Sequence, residues 1–441
     1  MRKVLVVVTL FIPTLLWSQE PWSLEKCIEY ALQNNLQIKQ QELDVKMSES
    51  DLLQSKINIL PSLNASGTQA YYFDRAILSE TNGSISGDVK NNTLNLNSSI
   101  SLFNGFQKYN TIKQNQFDLL ATLSDIEKIK NNISLNVASD YLQVLYYNDL
   151  VISSSNQVEL SKLQVERTKT MVNAGSVPEG NLFEIEAQLA SDELQLVNAQ
   201  NQLEIATLNL TQLLEIKSPE GFNVEKPNLD EFEEKQIELS PKDIFFIAQE
   251  TMPQILSANY KVSSAKKGLL VAKGGISPSL SLSGSYGSFA DKILNQDVDQ
   301  ASFSRQIKDN VNKSLTFNLS VPIFNGWQVR NRISKAKISL SSAQISLENE
   351  KNLLYKDIQQ AYTDALAAQK KLKASKKSVI ALEEAFRYSE QKFNVGLVTS
   401  YDYTNAKTKL SNAETDLLQA KYELIFKLKI LDFYRGIPLK L

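Results

Sequence analysis

The chain has 441 residues, 22% of them charged, and a formal net charge of −2. It contains no histidine and one cysteine, Cys27, which excludes a Ser-His-Asp triad, His-ligated zinc and any disulfide within one chain. The near-zero charge also leaves no basic footprint for nucleic acid.

The first residues read as a targeting segment. Arg2-Lys3 is a short basic region, Val4 to Leu16 is apolar, and Trp17-Ser18-Gln19 offers a cleavage site, which predicts a signal peptide over 1–18. The apolar run is too short to cross a membrane as a helix, and no later run approaches eighteen unbroken apolar residues. No cysteine directly follows it, so the bacterial lipoprotein signal is not expected. Cys27 stands among apolar helix positions in Leu24-Glu25-Lys26-Cys27-Ile28 and is expected to be a buried structural thiol.

From there the chain reads twice. Pro61-Ser62-Leu63 falls on Pro278-Ser279-Leu280 and Gly67 on Gly284, at an offset of 217. After the next loop the offset is 221, where Phe103-Asn104-Gly105 falls on Phe324-Asn325-Gly326, Tyr141 on Tyr362 and Gly175 on Gly396. Repeats this long are a duplicated subdomain rather than a solenoid unit. The expected organisation is a first repeat over 19–218, an acidic linker over 219–239 and a second repeat over 240–441. The linker's charge run is expected to be a solvated surface wrapped on the helical part.

Each repeat opens with a short helix, near Ser23 to Ile59 and near Ser240 to Lys273. A β-hairpin follows, about 62–103 and about 279–324. Leu94, Leu96, Ile100 and Leu102 alternate with Asn95, Asn97, Ser99 and Ser101, and Leu315, Phe317, Leu319, Val321 and Ile323 alternate with Thr316, Asn318 and Ser320. Strands of about ten residues suit a tilted membrane crossing. Aromatic residues gather at the strand ends: Tyr71, Tyr72 and Tyr286 on one side, Phe103, Phe324 and Trp327 on the other, the pattern of two membrane-interface girdles. Four strands cannot close a barrel, and an open sheet leaves unpaired backbone in lipid. Two, three or four copies would close eight, twelve or sixteen strands.

Then come very long helices. Gln107 to Val172 and Gln328 to Val395 contain neither Gly nor Pro, and each would run roughly 100 Å. Ile112, Leu119, Ile126 and Ile133 repeat every seven residues, and after a step of four the sevens resume from Val137 to Val172. Ile333 to Leu354 and Ile358 to Phe393 do the same, so both copies carry a coiled-coil register with one stutter. Gly175 and Gly396 end these helices, and Pro178 suits the first turn of a returning helix. The returning helices are expected over about Asn181 to Lys217 and Ser400 to Arg435.

The duplicated pattern, the Pro-Ser-Leu entries at Pro61 and Pro278, the Phe-Asn-Gly exits at Phe103 and Phe324, and the tip Phe393-Asn394-Val395-Gly396-Leu397-Val398-Thr399-Ser400-Tyr401-Asp402 together resemble the TolC-like outer-membrane efflux family. The resemblance implies a mainly α fold with a small β part: a homotrimer whose four strands per chain form a twelve-stranded transmembrane barrel, continued by a coiled-coil helical barrel in the periplasm. It implies an exit duct of a tripartite efflux or type I secretion system, docked to a periplasmic adaptor (a membrane fusion protein) and an inner-membrane transporter. The residues point to no catalytic, cofactor or metal site. The distal turns, Gly175-Ser176-Val177 and Gly396-Leu397-Val398-Thr399, are the expected adaptor-docking tips. Family members place an acid six residues after each tip glycine to narrow the entrance. This chain has Asp402 in one copy and Asn181 in the other, with Phe393 where a tyrosine is usual and Val398 where an arginine is usual, so a gate is expected at Asp402, Asn181 and Phe393 without the family's ion pairs. The alternative reading is a periplasmic or surface coiled-coil scaffold without a channel, which explains the helices but not the two-faced strands.

Overall fold

A computed structural model of the chain describes residues 21–73, 76–77, 84–85, 87–232, 237, 239–294 and 300–441. The expected signal peptide lies outside them. The first repeat supplies α1 (Leu24–Asn34), α2 (Leu36–Ile57), β1 (Ser62–Tyr72), β2 (Ala76–Ile77), β3 (Ser84–Ile85), β4 (Val89–Phe103), α3 (Gln107–Asn173) and α4 (Glu179–Leu213). The second supplies α5 (Pro241–Thr251), α6 (Pro253–Gly274), β5 (Ser279–Ile293), α7 (Phe303–Asp309), β6 (Asn312–Ser320), α8 (Gln328–Asn394) and α9 (Ser400–Tyr434).

The short helices differ from expectation because each is broken in two. Met252 is extended (φ −70°, ψ 125°) because Pro253 follows it and disfavours the helical region for the residue before. Asn35 breaks the first copy differently. Its side-chain oxygen accepts from Gln37 N at 2.9 Å, capping α2, and its amide donates to Leu213 O at 3.1 Å. The second hairpin also ends early. β6 stops at Ser320, leaving Val321, Ile323 and Phe324 outside the sheet, since Pro322 has no N–H to offer a ladder.

The described residues divide into two compact units, those within 1–40, 127–252 and 352–441, and those within 41–126 and 253–351. Each unit takes segments from both repeats, so neither unit corresponds to one repeat. The first unit is helical. None of the twenty positions of the heptad register, which runs through both units, is exposed, and Val137, Ile358 and Ala365 of this unit are fully buried. Cys27 is fully buried here, and burial pushes its thiol up to about 12. The linker is better anchored than its charge suggests. Val224 bridges Trp22 as a parallel partner, Phe222, Leu229 and Phe232 are buried, and the Lys429 ammonium lies 4.5 Å from the Phe232 ring centre.

The second unit holds one four-stranded antiparallel sheet in the order β1-β4-β5-β6. Apart from a bulge between Ser101 and Phe103 its register is continuous, so the face of every side chain follows from the pairing.

Candidate functional site

The register collects the apolar residues on one face. Ala65 pairs with Leu96, Leu96 with Tyr286, Ile100 with Leu282, Leu282 with Phe317 and Leu280 with Leu319. The other face is hydroxyl and amide: Ser62 opposite Ser99, Asn97 opposite Ser285, Ser281 opposite Asn318. Ser62 and Ser99 hydroxyls meet at 3.0 Å, those of Ser285 and Ser314 at 2.7 Å. The apolar face is open along β6 and part of β4, where Leu315, Phe317 and Leu319 are 64–69% exposed and Leu94 and Leu96 are 48% and 41% exposed. At its loop end, by contrast, Ser288 and Ala290 are buried, and Ser288 Oγ donates to Ile307 O of α7 at 2.6 Å. Among the described residues, both sheet edges, β1 and β6, carry ladder groups without a strand partner on their outer side.

The aromatic residues follow this register with one correction. Tyr71 and Tyr286 lie on the apolar face, where the Lys90 and Lys313 ammonium groups reach 5.8 and 5.5 Å from their ring centres. Tyr72 pairs with Val89 and points to the polar face, because adjacent strand residues cannot share a side. At the other end the bulge re-aims Phe103 onto Leu280 of the apolar face. Phe103 meets Phe106 edge to face at 5.6 Å. Phe324 is exposed beyond the strand, and Trp327 stacks under the Arg330 guanidinium at 4.3 Å. Both exits are tight turns closed by Gln107 N to Asn104 O (3.3 Å) and Gln328 N to Asn325 O (3.2 Å). Their central residues are left-handed: Gly105 (64°) with Phe106 (60°), and Gly326 (59°) with Trp327 (66°). An aromatic residue there is unusual. Gly105 has a second reason to lack a side chain, since a Cβ would come within 2.4 Å of the Gly274 carbonyl oxygen.

The helical tips form from local rules. Gly175 (φ 70°) donates to Val172 O and Ser176 N to Met171 O, each at 2.9 Å, and Gly396 (φ 76°) with Leu397 repeats the pattern through Phe393 O and Lys392 O. These are Schellman caps with glycine at the left-handed position. Gly175, Ser176, Gly396, Leu397 and Thr399 are exposed, while Val177 and Val398 are half-buried.

The expected gate residues are not brought together as a constriction within the chain. Phe393 is buried in a small core with Ile185 and Tyr403, flanked by Val165, Phe386 and Val398, and stacks on the Tyr403 ring at 4.9 Å. Burial pushes the Tyr403 phenol up to about 12. Asp402 is exposed and closes a capping box: its N–H donates to Thr399 Oγ1 at 3.2 Å and its carboxylate accepts from Thr399 N at 3.3 Å. In the first copy Pro178, not a hydroxyl residue, is the N-cap, one position earlier than the first-turn placement expected of it, and no side chain caps α4. Asn181 stands where Asp402 would, its N–H bonded to Pro178 O at 3.1 Å. Cap hydroxyl and acid are thus absent together.

Sequence reasoning missed a buried polar cluster between α3, α4 and α9. Lys407 pairs with Asp192 at 3.1 Å, Ser161 bonds both, and Gln188 donates to the second Asp192 oxygen at 2.7 Å. Desolvation pulls the Lys407 ammonium below the usual lysine range, opposed by the Asp192 charge. A signal existed. Ile185, Asp192, Ala199 and Ala206 are buried at seven-residue spacing, so a heptad traced along α4 puts a charge in its seam.

The sequence comparisons agree with this geometry. Outer membrane protein TolC of Escherichia coli is 24% identical over 303 residues, 67% of this chain but 59% of that protein's length. Toxin and drug export protein A of Aggregatibacter actinomycetemcomitans is 20% identical over 402 residues, 91% of this chain and 83% of that protein. The fold is that of the CusC structure (TM-score 0.82, 16% identity, 94% and 92% of the two chains) and of the Campylobacter jejuni outer membrane channel CmeC (0.78, 19%, 94% and 85%). A family model described as outer membrane efflux protein matches 27–215 and 247–433, one span in each repeat, and the chain belongs to that family.

Proposed function

We propose that three copies of this chain close their sheets into one twelve-stranded barrel in the outer membrane. The helices of the three chains form a hollow periplasmic tunnel, and the assembly is the exit duct of an efflux or secretion system. A periplasmic adaptor docks at the tips and an inner-membrane transporter supplies the cargo. The observation that carries the reading is the two-faced sheet, its apolar face open along β6 and part of β4, with two open edges. An apolar face of this kind is stable against acyl chains, and edges in lipid must be paired by a neighbouring copy. The Ser and Asn face then lines a water-filled lumen, where these side chains keep their hydration.

The reading extends the organisation by repeats: 19–218 and 240–441 each give one hairpin and one helical arm to every third of the wall, and 219–239 joins them. A relative named for toxin and drug export supports a duct, not a particular cargo. Native mass measurement of the purified protein in mild detergent should give a trimer, and the same sample should conduct in planar bilayers. A folded, membrane-inserted monomer would overturn the reading, as would full solubility of the mature chain without detergent, which fits the scaffold instead.

A further inference from the structure

The apolar sheet face carries three charges, all lysine, and all at the end where the hairpin loops begin. Lys90 and Lys292 are direct cross-strand partners, and Lys313 pairs with Tyr286. Within the four strands no acidic residue shares that face. Asp88, just before β4, continues its register, with its carbonyl accepting from Leu294 N at 2.7 Å, and stands one same-face step outside Lys90. Asp291, the neighbour of Lys292, points to the opposite face and accepts from Asn91 at 2.5 Å. Among the described residues none of the three lysines forms an ion pair.

Two like charges directly opposite on a strand pair repel, and Lys292 and Lys313 stand exposed at the end of the apolar strip, where an anion can reach them. The rings of Tyr71 and Tyr286 hold Lys90 and Lys313 at this rim. In the duplicated frame Tyr286 and Lys313 fall on Gln69 and Asn92. That is one same-face step from Tyr71 and Lys90, about 7 Å along a strand. The two aromatic–lysine pairs therefore lie near one level, with leucines below them on the same face.

From this arrangement we infer that the rim binds the phosphate groups of an anionic lipid of the outer leaflet, its acyl chains lying on the leucines. The inference rests on the proposed barrel, because only that reading turns the apolar face toward lipid. Phosphate fits better than a carboxylate partner from another protein: lipid anions sit where acyl chain meets headgroup, which is the level at which the leucines give way to lysine. A trimer would present nine such lysines in a ring.

The test uses delipidated full-length protein in neutral detergent and native mass spectrometry, titrating doubly phosphorylated lipid A, its fully dephosphorylated form, and inorganic phosphate. The expected result is a trimer that retains the phosphorylated lipid roughly tenfold more tightly than the dephosphorylated one and does not retain inorganic phosphate. Lys90→Gln/Lys292→Gln/Lys313→Gln should keep the trimer mass and lose that preference, and the corresponding triple arginine variant should keep both. A trimer that binds both lipids equally, or a glutamine variant that still prefers phosphate, overturns the inference alone. A monomer that binds neither lipid overturns the barrel and the inference with it.

Discussion

Lys407 Nζ lies 3.1 Å from the Asp192 carboxylate, with the two side chains only 6% and 3% exposed. This pair ties α9 to α4, and Ser161 adds α3 to the knot. Removing one partner leaves a buried charge alone. Asp192→Asn is therefore expected to cost about 3–5 kcal/mol locally, whereas Asp192→Leu with Lys407→Met should be neutral or stabilising. Hydrogen exchange of α4 and α9 amides reads both. Equal protection in the single and double variants would show that the pair is not coupled.

The same lysine sets a pH dependence. Its folded pKa is below the usual 10.5, so between those values the unfolded chain binds more protons than the folded one. The desolvation penalty is fully present below the folded pKa and is relieved as pH rises toward 10.5. Exchange protection at the α4–α9 contact should rise across that alkaline window in the parent and stay flat in Lys407→Met. A rise of the same size in Lys407→Met would assign the effect to another group.

Gly396 has φ 76° and no neighbouring atom within 4 Å of where a Cβ would stand, so substitution there is a question of backbone, not space. A valine must give up the left-handed cap or bear roughly 1–2 kcal/mol of strain. Gly396→Val is expected to abolish export and adaptor crosslinking while the trimer and barrel remain, and Gly396→Asn to be tolerated. Normal crosslinking in Gly396→Val would move the docking surface away from the tip.

Asp402 has two roles to separate. As a capping-box acid it stabilises the start of α9, and as part of three symmetry-related carboxylates it would favour cations at the entrance. Thr399→Ala removes the cap at about 1 kcal/mol and keeps the charge. Asp402→Asn removes the charge. Cation preference in planar bilayers should fall with Asp402→Asn, persist with Thr399→Ala and increase with Asn181→Asp. Identical selectivity in all three would leave Asp402 as a cap only.

How far the sequence can be read depends on whether a feature is local or periodic. The long helices α3 and α8 end within one residue of expectation because Gly175 and Gly396 mark the stops. The two faces of the sheet need only a period of two. Treating the girdle as composition, instead of applying that same period, misplaces Tyr72. Phe393 looks like a free tip residue in sequence because its partners, Ile185 and Tyr403, come from two other helices. Asp192 is within reach, since its seam position follows from Ile185 and Ala199 once α4 is traced. The break at Asn35 is not, because what holds it is the distant Leu213 carbonyl.

One device is wholly invisible in sequence. β5 outruns β6: their pairing stops at Gly287 and Asn312, and among the described residues no strand pairs with that edge of β5 from Ser288 to Ile293. Three side-chain amides take the place of that strand. Asn310 donates to Phe289 O at 3.1 Å, and Gln300 accepts from Ile293 N at 3.0 Å. Between them Gln306 accepts from Asp291 N at 2.8 Å and donates to Asp291 O at 3.0 Å. A carboxamide offers the same donor and acceptor as a peptide group, so Gln306, itself buried in α7, completes the edge as a strand residue would. The four residues by which the second repeat exceeds the first fall in the stretch that contains this device. Gln306→Leu keeps most of the volume but strands a buried N–H and C=O, at an expected cost of about 1–3 kcal/mol. Hydrogen exchange at Asp291 should accelerate and the trimer should dissociate at a lower temperature. Gln306→Glu should be worse, since it loses both donors and sets a second carboxylate near Asp291. Parent-like exchange in Gln306→Leu would mean that water or a neighbouring copy covers this edge in the assembled protein.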